Sequence, residues 1–465
     1  MSDKSFYIKT FGCQMNERDS EIMSQSLSAH GYIEAMDIKS ADLIILNTCS
    51  IRAKAEQKVM SMLGYLRKTK ENKPQLKICV AGCVAQQEGK KILSKMNHVD
   101  LIIGTQNIYN IGELLAETSV SSPMVATTLD DRYQIPNLAP RIFQADRGHI
   151  AKPAPFRKFV TIMQGCNNYC TYCVVPYTRG REISRISSDI IREVNVLVTN
   201  GVKEITLLGQ NVNSYGRTNS VNESTDNYSF ADLLHEVSRT DGLKRLRFTT
   251  SNPKDLTDDL IHCFRDIDNL CPQFHLPVQA GSDSVLKKMN RKYSVRKYLE
   301  LVEKLRQYCP EIAITTDVIV GFPGESDEDF EGTMNLLEEI RYHGSFSFKY
   351  SDRPGTRAAA FDGKIDESLK SERLARFQKR QDEISLERNR EYVGQWKTVM
   401  VEESSDKGVK CRTNTNHIVH LPASKKVCPG DFLNVTVTHA GHHSLKGEQC
   451  HTSSQESSGS PVSSC

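Results

Sequence analysis

The chain has 465 residues, more than one compact core usually holds, so its length predicts roughly two to four domains. Hydrophobic residues make up 38% of the sequence and charged residues 25%, a balance that excludes a wholly disordered chain. The formal net charge of +3 neither requires nor excludes a polyanionic partner, which only local patches would indicate.

The first predicted domain, residues 4–120, alternates short apolar runs with helical stretches. Residues 16–30 and 52–69 have helical patterns, and the strand-like runs are FYIKTFGC, DLIILNTCS, LKICVAGC and DLIIG. This βαβα order indicates an α/β fold, with a Rossmann-like or flavodoxin-like parallel sheet covered by helices on both faces.

Residues 121–151 contain several serines and prolines, and we predict a linker there. The second predicted domain, residues 152–388, has six strand candidates separated by helical segments: KFVTIMQG, KEITLLGQ, LKRLRFTT, QFHLPVQ, IAITTDVIVGF and GSFSFKY. Six successive βα units favour a barrel or partial barrel over a doubly wound sheet. Short strand-like segments in residues 389–451 then predict a small antiparallel β-barrel. The Ser-rich residues 452–465 are predicted to be a disordered tail.

The N-terminal stretch MSDKSFYIKTFGC lacks the basic start and apolar run of a signal peptide, and no apolar run reaches about 18 residues. These features predict a cytoplasmic protein with no membrane partner. Disulfides rarely persist in a reducing compartment, so clusters among the fourteen cysteines indicate metal-binding or catalytic sites.

A first set of cysteines, Cys13, Cys49 and Cys83, follows three strand-like runs and precedes helices. A parallel sheet brings the carboxyl ends of its strands to one edge, so these thiols are expected to converge. Three thiolates can hold three irons of a 4Fe-4S cluster and leave the fourth iron open. The alternative is three buried cysteines at packed strand ends. Cys79 lies four residues before Cys83 and is predicted to point away from that edge.

A second set, Cys166, Cys170 and Cys173, follows the first strand of the second domain, at the mouth where barrels of this kind carry catalytic loops. Zinc is the rival metal. A structural zinc site requires four ligands, however, and the closest following histidine is His235. The incomplete ligand set therefore favours a cluster with an open iron.

The second set, with Tyr172, matches the CxxxCxΦC motif and resembles the radical S-adenosylmethionine superfamily. Together with the first set and a terminal barrel that resembles an RNA-binding TRAM domain, nearly the whole chain is similar to methylthiotransferases. Several segments resemble the subgroup that acts on isopentenyladenosine in tRNA: NTCSIRAKAEQKV, GCNNYCTYCVVPYTRGREISR, LGQNVNSYG, SNPKDL, HLPVQAGSDSVLKKMNR and YSDRPGTRAA.

The resemblance implies two 4Fe-4S clusters and S-adenosylmethionine as cofactors. The second cysteine set would hold the cluster whose open iron binds S-adenosylmethionine, and reductive cleavage would give a 5′-deoxyadenosyl radical. That radical would remove the hydrogen on carbon 2 of an isopentenylated adenine next to the anticodon. The cluster on the first set would provide or carry the sulfur, and a second S-adenosylmethionine would supply the methyl group. The implied partners of a monomeric enzyme are a tRNA anticodon stem-loop, an external one-electron reductant and a sulfur source.

Candidate cofactor contacts follow from the same resemblance. Tyr172 is placed to cover the adenine of the cofactor, or else to fill the core of its loop. Gly209 and Gln210 stand where many superfamily members have Gly-Gly-Glu, so the group that neutralises the cofactor ammonium is open. Gln210, Gln279 and Asp317 are candidates, and each is also explicable as a hydrogen-bonded polar residue at a strand end.

Candidate RNA contacts lie in two places. Arg179 and Arg181 follow the second cysteine set and would meet tRNA phosphates or the cofactor carboxylate; the alternative is a surface turn with salt bridges. In the terminal barrel, alternation along one strand would present Lys410, Arg412, Asn414 and Asn416 on a single face, suited to RNA or simply polar and exposed.

Other functions remain open at this point. The same chemistry would serve threonylcarbamoyladenosine in tRNA or an aspartate of a ribosomal protein. A non-catalytic iron-sulfur protein that binds RNA or senses redox state is the alternative from another class. Two cysteine sets that are each one ligand short argue against it, because a purely structural cluster normally has four ligands.

Overall fold

The computed structural model describes residues 4–50, 53–118, 123–130, 132–137, 155–217 and 228–450. The Ser-rich tail predicted for residues 452–465 lies outside the described residues, as does much of the predicted linker. Within the described ranges, no helix combines the length and apolarity needed to cross a bilayer.

The N-terminal domain is a six-stranded parallel sheet in the order β2-β1-β3-β4-β5-β6. Its strands are β1 (Ser5–Thr10), β2 (Ile33–Glu34), β3 (Leu43–Thr48), β4 (Lys77–Gly82), β5 (Leu101–Ile103) and β6 (Met124–Ala126). Its α-helices are α1 (Gln14–Ala29), α2 (Ala53–Asn72), α3 (Cys83–Lys95) and α4 (Ile111–Glu117). One apolar core lies between the sheet and α1 with α4, and a second lies between the sheet and α2 with α3. The predicted α/β sheet covered on both faces is confirmed.

Strand β6 corrects the linker prediction. It falls within residues 121–151, yet it pairs with β5 through three consecutive residues and completes the sheet edge. The serine and proline content of this segment concealed a three-residue strand, which is too short to show a period of two in the sequence.

The partial barrel follows. Its strands and the β8/β9 ribbon are β7 (Arg157–Thr161), β8 (Met163–Gln164), β9 (Ile183–Ser184), β10 (Glu204–Leu208), β11 (Arg245–Thr249), β12 (Gln273–His275), β13 (Ala313–Val320) and β14 (Gly344–Lys349). Its α-helices are α5 (Val175–Thr178), α6 (Ser187–Thr199), α7 (Phe230–Ser238), α8 (Asp258–Asp266), α9 (Asp283–Lys288), α10 (Val295–Tyr308), α11 (Asp327–Ile340) and α12 (Glu367–Arg390). Six parallel strands form two groups of three, β7-β10-β11 and β12-β13-β14, and the bridge between Leu246 and Leu270 links the groups. All six predicted strands are present.

The C-terminal domain is a closed five-stranded barrel in the order β15-β16-β17-β19-β18. The strands are β15 (Trp396–Ser405), β16 (Gly408–Thr413), β17 (Ile418–Leu421), β18 (Phe432–Ala440) and β19 (Leu445–Gln449). All neighbouring pairs are antiparallel except β17 and β19, which are parallel. The barrel docks on the partial barrel through Arg247, whose guanidinium donates to the backbone oxygens of Thr413 and Asn414 at 2.9 Å.

Buried ion pairs fasten the N-terminal domain to the partial barrel. Arg18 Nη2 in α1 lies 2.5 Å from Glu193 Oε1 in α6, and both side chains are almost fully buried. Thr105 Oγ1 donates to the backbone oxygen of Thr178 at 2.6 Å. These contacts bring the edge of the N-terminal sheet against the loops at the mouth of the partial barrel.

Candidate active site

The first cysteine set converges at one sheet edge, as its spacing predicts. Cys13 precedes the first residue of α1, Cys49 follows β3, and Cys83 is the first residue of α3. Strands β1, β3 and β4 are neighbours in the sheet, so their carboxyl ends lie side by side. A hydrogen bond from the Cys49 thiol lowers the pKa of Cys13 to about 6. Cys79 lies instead in the apolar core between the sheet and α1, where burial raises its pKa.

Two glycines permit this convergence. Gly12 has φ +142°, and a Cβ there would overlap Cys49 Cβ. Gly82 has φ +89°, and a Cβ there would overlap the backbone oxygen of Thr48. Only a residue without a side chain combines these backbone angles with such close approach, so both glycines are required for the thiols to share one edge.

Two fully buried asparagines hold the strand ends beneath the thiols. Asn16 Nδ2 donates to Asn47 Oδ1 and to the backbone oxygen of Thr48, both at 2.9 Å. Asn47 Nδ2 donates in return to the backbone oxygen of Asn16 at 2.8 Å. The Cys13 thiol lies 3.2 Å from Asn16 Oδ1 and donates to it. The sequence analysis missed this pair, although each asparagine lies within three residues of a predicted ligand.

Arg179 is buried, so its predicted position on an RNA-binding surface is wrong. Its side chain is 4% exposed, and Nη2 lies 2.6 Å from Asp19 Oδ2 in α1. Burial raises the pKa of the Cys83 thiol, and the nearby positive charge of Arg179 opposes that rise. Arg179 Nη1 is buried and has no hydrogen-bond partner among the described residues. A side chain from the partial barrel therefore reaches the first cysteine set, whereas Arg181, two residues later, is exposed.

The second cysteine set occupies a loop fixed by backbone contacts. Gly165 precedes the loop with φ +80°, and a Cβ there would overlap the backbone of Arg181. Cys173 N–H donates to the Cys170 oxygen at 3.0 Å, and Thr171 N–H donates to the Met289 oxygen at 3.1 Å. The loop is thus tied both to itself and to the segment that follows α9.

Two side chains donate to sulfur in this loop. Asn168 Nδ2 lies 3.3 Å from Cys166 Sγ, and Arg291 Nη1 lies 3.5 Å from Cys170 Sγ. Burial raises the pKa of Cys166 to about 11 and that of Cys173 to about 12. Donors of this kind stabilise a sulfur that becomes a thiolate on metal binding. Arg291 was missed, and its signal was its place at the end of HLPVQAGSDSVLKKMNR.

A single metal ion and an iron-sulfur cluster require different arrangements of thiols. Among the residues that the structure describes, no three His, Cys, Asp or Glu side chains converge as ligands of one metal ion. Each ligand of a 4Fe-4S cluster binds a different iron, so the ligands surround a group larger than a single metal ion.

The predicted cofactor contacts lie at the mouth and on the inner face of the partial barrel. Gln210 Oε1 accepts from Gly165 N–H at 2.5 Å, while Gln210 Nε2 is buried with no partner in the described ranges. Gln279 adopts a left-handed backbone conformation with φ +73°. Its backbone N–H donates to the backbone oxygen of Asp317 at 2.8 Å. The Asp317 carboxylate lies 3.3 Å from His275 Nε2. Tyr172 is half-buried and packs edge-on to Phe322, with 6.4 Å between ring centroids.

The predicted strand face in the C-terminal barrel is formed in part, because Lys410 and Arg412 alternate on β16 with the buried Cys411 and Thr413. Strand β16 ends at Thr413, so Asn414 and Asn416 lie in the turn that follows it. Arg412 binds the Glu402 carboxylate with two nitrogens, at 2.6 and 3.1 Å, and Lys410 Nζ lies 3.7 Å from the same carboxylate. Lys410 Nζ lies closer, at 2.8 Å, to Glu403 Oε1. The alternation in the sequence did not show these carboxylate partners on β15.

Comparison with known proteins gives a consistent result. Residues 5–104 match the model described as uncharacterized protein family UPF0004, and residues 160–337 match that of the radical SAM superfamily. A tRNA-2-methylthio-N(6)-dimethylallyladenosine synthase from Desulfotalea psychrophila is 63% identical over 96% of this chain and 99% of its own length. A protein with the same description from Syntrophobacter fumaroxidans is 48% identical over 95% of each chain.

A solved structure agrees at the level of fold. The radical S-adenosylmethionine methyltransferase TsrM from Kitasatospora setae, determined with cobalamin and a [4Fe-4S] cluster bound, has a TM-score of 0.54 at 12% identity. The match covers 77% of each chain. At this identity the likeness concerns the fold alone.

Proposed function

The chain belongs to the tRNA-2-methylthio-N(6)-dimethylallyladenosine synthases, a family of radical S-adenosylmethionine methylthiotransferases, and from that premise we propose how its residues divide the work. The enzyme converts N(6)-isopentenyladenosine next to the anticodon of tRNA to its 2-methylthio derivative. We assign cofactor cleavage to the loop with Cys166, Cys170 and Cys173, and sulfur delivery to Cys13, Cys49 and Cys83.

One observation carries this division: Arg179 follows the second cysteine set in the chain, yet it is buried against Asp19 of α1, where its charge acts on the Cys83 thiol of the first set. The two sets are thereby held as neighbours, which a reaction that uses both on one base requires. The alternative of three inert cysteines at a packed strand end does not account for a buried arginine beside them, one of whose guanidinium nitrogens has no partner in the described part of the chain.

A radical S-adenosylmethionine enzyme uses a 4Fe-4S cluster and S-adenosylmethionine; the second cluster is our proposal. Both sets offer three thiols and adjacent hydrogen-bond donors, which fits two clusters with an open iron each. When bound, these groups supply the radical that breaks the C–H bond and the sulfur that replaces the hydrogen. No side-chain acid or base in the described residues is needed for that step.

The chain's own residues would orient the cofactor and the base. Gln210 Nε2 is a buried donor with no acceptor among the described residues, and the carboxylate of S-adenosylmethionine would supply one. The Asp317 carboxylate and Gln279 remain candidates for its ammonium group. Tyr172 would border the cofactor through its exposed edge, because its other edge packs on Phe322.

The RNA would meet exposed groups near this mouth. We retain Arg181 as a phosphate contact and reassign Arg179 to the first cysteine set. The closed C-terminal barrel fits a TRAM-like domain, and we propose that Asn414 and Asn416 contact RNA from the turn after β16. An external one-electron reductant, a sulfur source, a monomeric state and a cytoplasmic location complete the proposal.

The test is an anaerobic reaction with the reconstituted enzyme, dithionite, S-adenosylmethionine and one of two anticodon stem-loops. One RNA carries isopentenyladenosine and the other carries threonylcarbamoyladenosine, and nucleosides are measured by mass spectrometry. We expect the methylthio product on the isopentenylated RNA alone. Product on the threonylcarbamoyl RNA alone would overturn the substrate assignment, and absence of 5′-deoxyadenosine from enzyme with full iron content would overturn the chemistry.

A further inference from the structure

Two phenylalanines are exposed on the last strand of the partial barrel. Phe346 and Phe348 lie in β14, where their relative exposures are 57% and 39%. Among the described strands, β14 pairs only with β13 and forms the open edge of the barrel. Large apolar side chains on an open edge are costly in water and are typical of a surface that binds a partner or ligand.

The strand register shows which way these rings point. In the parallel pairing of β13 and β14, Phe346 lies beside Asp317 and Phe348 beside Ile319. The Phe346 ring is 6.1 Å from the ring of His275 in β12. The alternate residues face α12, since Ser347 Oγ accepts from Gln378 Nε2 at 3.2 Å. The two phenylalanines therefore face the inside of the partial barrel.

This surface continues from the second cysteine set. Ile319, beside Phe348, packs on the same apolar cluster as Tyr172, which stands between Cys170 and Cys173. Asp317 lies two residues before Ile319 in β13 and therefore on the same face of the strand. An apolar group at Phe346 and Phe348 would consequently lie next to the loop that we assign to cofactor cleavage.

We propose that Phe346 and Phe348 form the binding site for the isopentenyl group of the substrate adenine, an inference that rests on the function proposed above. The isopentenyl group is a branched hydrocarbon without hydrogen-bonding atoms, so its recognition requires apolar contact. The threonylcarbamoyl group carries a carboxylate, which would lose water against the phenyl rings and be repelled by Asp317. The same two rings thus favour one modification and disfavour the other.

The test measures binding rather than turnover. Reconstituted enzyme with S-adenosylmethionine and no reductant is titrated with fluorescent anticodon stem-loops that carry isopentenyladenosine or plain adenosine. We expect wild type to prefer the isopentenylated RNA. Phe346→Ser and Phe348→Ser should each weaken binding of that RNA by about tenfold and leave the Kd of the plain RNA within about twofold, as for loss of a few buried methylene contacts.

Two further variants make the result specific. Phe346→Leu retains an apolar side chain and should keep most of the preference. Met36→Ser changes a residue that is 86% exposed on the N-terminal domain and should alter neither Kd. Equal weakening of both RNAs by the phenylalanine variants, or no weakening of either, would overturn the isopentenyl site. A wild-type enzyme that makes no methylthio product would instead overturn the proposed function itself.

Discussion

Removal of Glu193 should be among the most destabilising single changes in this protein. Its carboxylate is fully buried between Arg18 Nη2 of the N-terminal domain, at 2.5 Å, and Arg185 Nη1 of the partial barrel, at 2.8 Å. The contact between Arg185 and Glu193 is close enough for an ion pair, but its geometry does not meet the requirements of a hydrogen bond. Unit charges about 3 Å apart attract by about 5 to 6 kcal/mol at an effective dielectric constant of about 20.

Among the described residues, Glu193→Gln leaves the buried Arg185 guanidinium without a carboxylate partner and leaves Arg18 with Glu21 alone, at 3.0 Å. Because such loss of a buried partner costs about 3 to 5 kcal/mol, we expect the free energy of unfolding to fall by that amount. Urea denaturation gives the change, and amide hydrogen exchange should show faster exchange in α1, since Arg18 lies in that helix.

The control is Glu331→Gln, which breaks an ion pair with Arg376 whose two side chains are about half exposed. An exposed pair contributes about 0 to 1 kcal/mol. If Glu193→Gln were no more destabilising than Glu331→Gln, the buried network would not be what fastens the two domains, and the reasoning would be refuted.

The remaining predictions concern the first cysteine set and two histidines where the partial barrel meets the C-terminal barrel. Gly12→Ala forces a Cβ against Cys49, so iron analysis should show about four of about eight irons lost; full iron content would contradict the stated need for glycine. Burial lowers the pKa of His343 to about 3 and that of His417 to about 4, and their rings are 5.7 Å apart. Both histidines stay neutral in the folded state and become protonated on unfolding at low pH. Their contribution to the free energy of unfolding is therefore complete above the unfolded pKa of about 6.5 and decreases as the pH falls below it. At pH 5 the loss is about 2 kcal/mol per histidine. The single tryptophan lies in the C-terminal barrel and reports this unfolding by fluorescence; stability that is constant from pH 7.5 to 5 would contradict the prediction.

Local patterns in the sequence were sufficient for the main elements. The six barrel strands were predicted because each is an apolar run bounded by turn residues. The convergence of Cys13, Cys49 and Cys83 was predicted because strand ends of a parallel sheet meet at one edge. Both inferences need only the order of residues within a segment.

Contacts between segments that are distant in the chain were not predictable in this way. Arg179 has the same charge and neighbours whether it faces solvent or Asp19, and only the docking of α1 on the partial barrel decides between them. Arg412 likewise alternates with polar residues as an exposed cation would, while Glu402 on the neighbouring strand binds it. Such pairings depend on tertiary packing, which periodicity does not record.

The central claim is that the two cysteine sets perform different steps, and one measurement tests it directly. The Cys49→Ala and Cys170→Ala enzymes are reconstituted and supplied with isopentenylated stem-loop, S-adenosylmethionine and dithionite, and 5′-deoxyadenosine and the methylthio nucleoside are quantified together. Cys79→Ala, which removes a thiol in the apolar core, serves as the matched control and should form both products. We predict that Cys170→Ala forms neither product, whereas Cys49→Ala still forms 5′-deoxyadenosine but no methylthio nucleoside. Loss of both products in both variants, with iron retained at the unaltered set, would contradict a division of labour between the two sets.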